Sequence, residues 1–213
     1  MKVIKINLNE DFSEAIQEVI VVLKMGGVVV YPTDTLYGLG ANALEIGPVE
    51  RIFKIKHRPE GKPLPIAVKN INWAKELSFI YKKDEKVLAK VWPGQVSVVL
   101  PKRSVVPDIL TSGRTSVALR IINSPFVDKL LGKFGYPITS TSANISDELT
   151  SSKISEIIKR FENSDFKPDL IIDAGDLKES EPSTILDLTS EKPKILRVGL
   201  SNPKKLLELL KLK

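Results

Sequence analysis

The chain has 213 residues, a formal net charge of +6, no cysteine and a single histidine, His57. That length suffices for one sizeable core or two small ones, while the residue inventory excludes disulfides, thiolate nucleophiles and cysteine zinc sites and leaves little room for a histidine metal cluster. No apolar run is long enough to cross a bilayer, so no membrane partner is expected, and the excess of basic residues suits either an anionic partner such as a nucleotide or RNA or a lysine-rich solvated surface.

In chain order, Met1-Lys2-Val3-Ile4-Lys5-Ile6 alternates charged and apolar residues. This is a strand pattern without the apolar core of a signal peptide, so a cytoplasmic protein is expected. Val3–Leu8 reads as the first strand. Asp11 and Glu14 have capping-box spacing ahead of a helical face of Ala15, Val19, Val22 and Leu23, and Gly26-Gly27 closes that helix. The next stretch organises the chain. Gly27-Val28-Val29-Val30-Tyr31 is too short and too β-branched for a helix and reads as a buried strand, which Pro32 ends. Thr33, Asp34 and Thr35 follow at once, where open α/β sheets keep their ligands. Gly38 and Gly40 permit close approach of a backbone or a ligand.

Pro48 suits the first turn of a second helix. Its end carries Lys54, Lys56, His57 and Arg58 before Pro59 breaks it. Two readings suit this cluster. Cations at a helix C-terminus are favoured by the macrodipole; the same residues, with Lys62, could clamp phosphate. Strands are expected at Pro65–Val68, Val96–Leu100 and Ser116–Ile121, and helices at Ile71–Ser78, Asp84–Val91 and Pro125–Phe134, with Trp92-Pro93-Gly94 forming a turn. Arg120 is a charge inside an apolar strand and must be paired, either with an internal acid or with a bound carboxylate. Pro137–Ser146 is dense in hydroxyls and forms a second polar strand end or a helix-capping turn. An amphipathic helix at Ile154–Phe161, a strand at Leu170–Asp173 and a charged loop at Lys178–Pro182 follow. That loop is a candidate cover for a site. Ser183–Leu188 and Lys194–Gly199 read as an antiparallel pair, and a last helix is expected over about 202–212. The expectation is an α/β fold: a single domain over 1–213, its core at about 9–199, built on one twisted open sheet of mixed parallel and antiparallel strands with helices.

Separated motifs together resemble the YrdC family of threonylcarbamoyl-AMP synthases. They are Tyr31-Pro32-Thr33-Asp34-Thr35-Leu36-Tyr37-Gly38-Leu39-Gly40, Lys56-His57-Arg58-Pro59, Ser142-Ala143-Asn144, Ser183-Thr184-Ile185-Leu186-Asp187 and Leu196-Arg197-Val198-Gly199. Trp92-Pro93-Gly94 and Ala118-Leu119-Arg120 add weaker matches. The resemblance covers almost the whole chain and is closest to the short, single-domain form. It implies conversion of L-threonine, bicarbonate and ATP to threonylcarbamoyl-AMP and pyrophosphate. It further implies hand-over to a tRNA-modifying threonylcarbamoyl transferase complex acting beside the anticodon. Carried over by position, the resemblance puts Arg120 on the threonine carboxylate, with Thr35, Ser140 and Ser183 around the amino acid. Lys56, Arg58 and Lys62 would meet the triphosphate, the first two as electrostatic catalysts. Ser116, Ser142, Asn144, Thr150 and Arg197 would contact the nucleotide. Mg²⁺ would arrive on the ATP phosphates, with no ligand from the protein.

The chain departs from the family pattern in places. Asp147 follows Ser146 where relatives often have glycine, and Asp tolerates positive φ better than most residues. Ala67 stands where some relatives have a threonine-contacting histidine, and His57 where many have glycine. Other readings remain: a non-catalytic RNA-binding protein of the same fold, a paralogue that carbamoylates or adenylates another substrate, and a carbamoyl-transfer module like those of hydrogenase-maturation enzymes. The last usually carries zinc-binding cysteines, which this chain lacks.

Overall fold

The structure, a computed structural model, describes residues 1–199, so the helix expected over 202–212 lies outside the described residues. The class is mixed α/β, as the sequence implies. The elements run β1 (Lys2–Lys5), α1 (Ser13–Lys24), β2 (Val29–Tyr31), β3 (Gly38–Gly40), α2 (Ile46–Lys56), β4 (Ile66–Ala67), α3 (Ile71–Leu77), α4 (Lys82–Val91) and β5 (Val96–Pro101). Then come α5 (Asp108–Thr111), β6 (Ser116–Arg120), α6 (Pro125–Phe134), β7 (Ile138–Thr139), β8 (Thr141–Ser142), α7 (Ile154–Glu162), β9 (Leu170–Asp173), β10 (Thr184–Asp187) and β11 (Lys194–Arg197).

The strands divide between two mixed sheets, where the sequence suggests one. The first has the order β1-β9-β2-β3-β8 and the second β11-β10-β5-β6-β4-β7. The division happens in the hydroxyl-rich stretch: β7 pairs antiparallel with β4 in the second sheet, and after Ser140 the chain enters β8, which pairs antiparallel with β3 in the first. A strand that turns a corner can serve two sheets, and no hydrophobic pattern marks such a corner in sequence. The expected antiparallel pair of β10 and β11 forms, with a register shift between Ile185 and Leu186.

The central strands β2 and β9 of the first sheet are buried on both faces, which is why they read as continuous apolar runs, whereas β1 at the edge is mostly exposed and alternates. Along β2, Val30 faces the larger core between the sheets, while Val29 and Tyr31 face a second core. Leu170 and Ile172 on β9 alternate with Ile171 in the same way. Helices α1 and α6 close the second core with Ile16, Val19, Leu23, Phe126 and Leu130. Helix α1 does not use the expected capping box: Asp11 instead accepts from the Ser13 amide and hydroxyl. No helix among the described residues is long and apolar enough to cross a membrane.

Candidate active site between the two sheets

A cavity of about 440 Å³ lies between the sheets, a size that suits a small-molecule ligand. From the first sheet it takes Gly38 on β3 and Thr141 and Ser142 on β8; from the second it takes Ser97 and Val99 on β5, Ser116 to Ala118 and Arg120 on β6, and Ile185 and Asp187 on β10. The polar loop after β2 supplies Thr33 and Thr35.

Arg120 lies against one part of this wall and is 5% exposed. Its Nε donates to Gly94 O at 2.8 Å, Nη2 donates to Asp34 Oδ1 at 2.6 Å, and Nη1 reaches Thr35 Oγ1 at 3.3 Å. Of the two partners open to Arg120, the internal one is therefore Asp34. A guanidinium has five N–H groups, so one hydrogen on each of Nη1 and Nη2 is left for a further acceptor. Burial lowers the Arg120 pKa, and the neighbouring Asp34 works against that shift. Asp34 is itself held in place by the Gln95 side chain, which donates to its carbonyl at 3.1 Å. Thr33 Oγ1 donates to Leu36 O at 2.6 Å and accepts from the Thr35 amide, which fixes the loop between β2 and β3. Ser183 faces Ser97 with their hydroxyls 3.0 Å apart, and Ser140 joins the same wall.

Among the described residues, Arg58, Arg114 and Arg197 are the remaining cations of the wall. Arg58 donates through Nε to Lys62 O at 2.8 Å and through Nη2 to Pro63 O at 2.7 Å. Arg197 donates to Ser183 O at 2.7 Å, and burial, then Arg120, lower its pKa. Thr150 completes the group of expected residues on the wall, together with Pro182 from the charged loop Lys178–Pro182. Among the described residues, Asp187 is the one carboxylate on the wall, and it accepts from Thr189. No group of three or more His, Cys, Asp or Glu among the described residues could hold a metal.

Three expected residues stand off the wall. Lys56 is 1% exposed, and its Nζ donates to Ser142 O and Asn144 O, both at 2.6 Å, and to Asn144 Oδ1 at 3.0 Å. All three ammonium hydrogens are thus spent on the Ser142–Asn144 turn. Burial, with Arg58 and Arg160 nearby, pushes the Lys56 pKa down to about 7. Asn144 is buried too, and its Oδ1 accepts from Ser142 Oγ at 2.6 Å. Lys62 pairs with Asp147 at 2.7 Å.

The departures from the family pattern find local explanations. His57 caps α2 at φ 47, and Asp147 sits at φ 66, both in the left-handed region that glycine prefers. Ala67 is fully buried in the second core and does not line the cavity. Sequence reading missed Arg114, Ser97 and Tyr37 on the wall. Ser97 leaves a trace, as one hydroxyl inside the apolar run Val96–Leu100; Arg114 sits in a polar loop where a cation is unremarkable.

Known proteins resemble this chain along most of its length. The family model for Sua5, YciO and YrdC proteins, described as telomere recombination, matches residues 21–199. A threonylcarbamoyl-AMP synthase of Pyrococcus abyssi is 37% identical over 178 residues, covering 83% of this chain and 52% of its own. The chain thus spans about half the length of that relative. A putative threonylcarbamoyl-AMP synthase of Methanocaldococcus jannaschii is 34% identical over 201 residues, covering 93% of each chain. The crystal structure of P. abyssi Sua5 complexed with L-threonine superposes with a TM-score of 0.91 at 32% identity, over 98% of this chain and 61% of that one.

Proposed function

The chain belongs to the Sua5/YciO/YrdC family, and on that premise we propose that it makes threonylcarbamoyl-AMP and pyrophosphate from L-threonine, bicarbonate and ATP. The observation that supports this reading is one cavity that holds both a buried arginine with N–H groups to spare and three further arginines. Arg120, which donates once each from Nε, Nη1 and Nη2, keeps one further N–H on each of Nη1 and Nη2 for an acceptor beside the Thr35 hydroxyl. Arg58, Arg114 and Arg197 offer cations elsewhere on the same wall.

The chemistry asks for positioning and charge neutralisation more than for a protein nucleophile. The threonine amine adds to bicarbonate, water leaves, and a carbamate forms. A carbamate oxygen then attacks the α-phosphorus of ATP, the bond to the bridging oxygen breaks, and pyrophosphate departs. Arg120 and the hydroxyls of Thr35, Ser140 and Ser183 hold the amino acid in this scheme. Arg58, Arg114 and Arg197 offset the charge that builds on the phosphates, with Ser116, Ser142 and Thr150 as nucleotide contacts. Lys56 and Asn144 act from behind the wall by shaping the turn that presents Ser142. Mg²⁺ would ride on the ATP phosphates, because among the described residues the wall offers a single carboxylate. The product would pass to a threonylcarbamoyl transferase acting on tRNA.

The test is pyrophosphate release from ATP with and without L-threonine and bicarbonate, with the nucleotide product identified by mass. Release that needs both co-substrates, with the mass of threonylcarbamoyl-AMP, is expected. Folded protein that binds ATP but releases no pyrophosphate would overturn the reading. RNA binding without pyrophosphate release would favour a non-catalytic role.

A further inference from the structure

We propose that Asp147 sets the affinity for the polyphosphate of ATP by competing with it for Lys62, an inference that rests on the functional reading above. Lys62 Nζ contacts both carboxylate oxygens of Asp147, at 2.7 Å and 3.0 Å. Both residues stand just off the wall, next to Arg58, which lines it. Arg58 Nε donates to the carbonyl of Lys62 itself, and Asp147 is near enough to act electrostatically on Arg58. The loop bearing Asp147 also carries Ser142 on one side and Thr150 on the other, both on the cavity wall. A carboxylate and a phosphate are alternative anionic partners for the same ammonium group.

Asp147 is not needed to hold its own loop. Ser146 N donates to Lys56 O, Asn144 Nδ2 donates to Glu148 O at 2.8 Å, and Arg160 binds both Glu148 Oε2 and Leu149 O. These bonds anchor the loop on either side of Asp147, whose side chain is 74% exposed. The backbone there has φ 66, so glycine would relieve it and asparagine is tolerated. A side chain that the loop does not require, at a position that suits glycine, leaves its pairing with Lys62 as its main contact. An exposed ion pair of this kind is weak enough to exchange partners readily.

The experiment measures equilibrium binding of ATP, inorganic tripolyphosphate and L-threonine to the parent protein, Asp147→Asn, Asp147→Gly and Lys62→Ala, and to the double variants. Both Asp147 variants are expected to bind ATP and tripolyphosphate roughly two- to fivefold more tightly, with threonine binding unchanged. The gain should shrink at high salt and should largely vanish in the Lys62→Ala background. Parent protein that binds ATP, with Asp147→Asn binding it no more tightly, would overturn the competition and leave the functional reading intact. An equal gain with and without Lys62 would also overturn it. Parent protein that binds neither ATP nor tripolyphosphate would overturn both.

Discussion

Arg120 and Asp34 form an ion pair almost wholly removed from water, with side chains 6% and 12% exposed. Removing one charge from such a pair strands the other, so Asp34→Asn is expected to lower unfolding stability by about 3–5 kcal/mol in a urea titration. Arg120→Lys keeps the charge and loses the fork. Its threonine KM should rise about ten- to a hundredfold, because a charged hydrogen bond is worth roughly 1.5–3 kcal/mol, while its ATP KM stays nearly constant. Lys56 poses the opposite problem, a buried cation among neutral acceptors. Its folded pKa of about 7 lies below the ordinary 10.5, so between these values the unfolded chain holds the proton that the folded chain has lost. Stability should therefore rise with pH from about 7 upward. Denaturant midpoints at pH 7 and 9 should show that rise in the parent protein and not in Lys56→Met. The sequence singled out Lys56 by type and motif. That its hydrogens all point back into the Ser142–Asn144 turn depends on where α2 ends relative to β8, which no local pattern encodes.

At the scale of elements, glycine has a second meaning beside the one its sequence context suggests. Gly38 and Gly40 follow the polar loop and read as room for a backbone or a ligand; Gly38 lines the cavity, and the ring of Tyr31 lies against both. A Cβ on either would come within 2.7 Å of that ring. Tyr31 is fully buried with its hydroxyl donating to Thr139 O at 3.1 Å, and so it has nowhere to retreat. Gly40→Ala should cost about 1–3 kcal/mol by overpacking, read as a lower midpoint of thermal or urea unfolding. The helices were the most legible elements. The sequence placed α6 at Pro125–Phe134 with Gly135 to close it, and the structure has that helix with a Ser124 cap and Gly135 at φ 83. Most strand positions were legible from their apolar runs, though not the short β3 at Gly38–Gly40 or β8 at Thr141–Ser142, and of the partners only the adjacent pair of β10 and β11 was legible. The long-range parallel pairs β1 with β9 and β10 with β5 join segments far apart in the chain, and pairing of that kind leaves no local signal.

Across the described residues, the cavity wall carries four arginines against a single carboxylate on the wall and Asp34 behind it. Binding of a polyanion there should weaken with salt. The ATP Kd measured by calorimetry is expected to rise clearly between about 0.05 and 0.5 M KCl, and that of zwitterionic threonine to change much less. The sequence by itself determined the α/β class, the hydroxyl-rich strand ends and the candidates Arg58, Arg120 and Arg197, since these follow from periodicity, composition and motif order. Only the tertiary structure decided that the strands form two sheets, that Arg58, Arg114, Arg120 and Arg197 converge between them, and that Lys56 and Asn144 support the wall from behind. The reason is that a sheet's faces are set by alternation along each strand, which is local, whereas the space between two sheets is set by which strands pair and where one turns the corner.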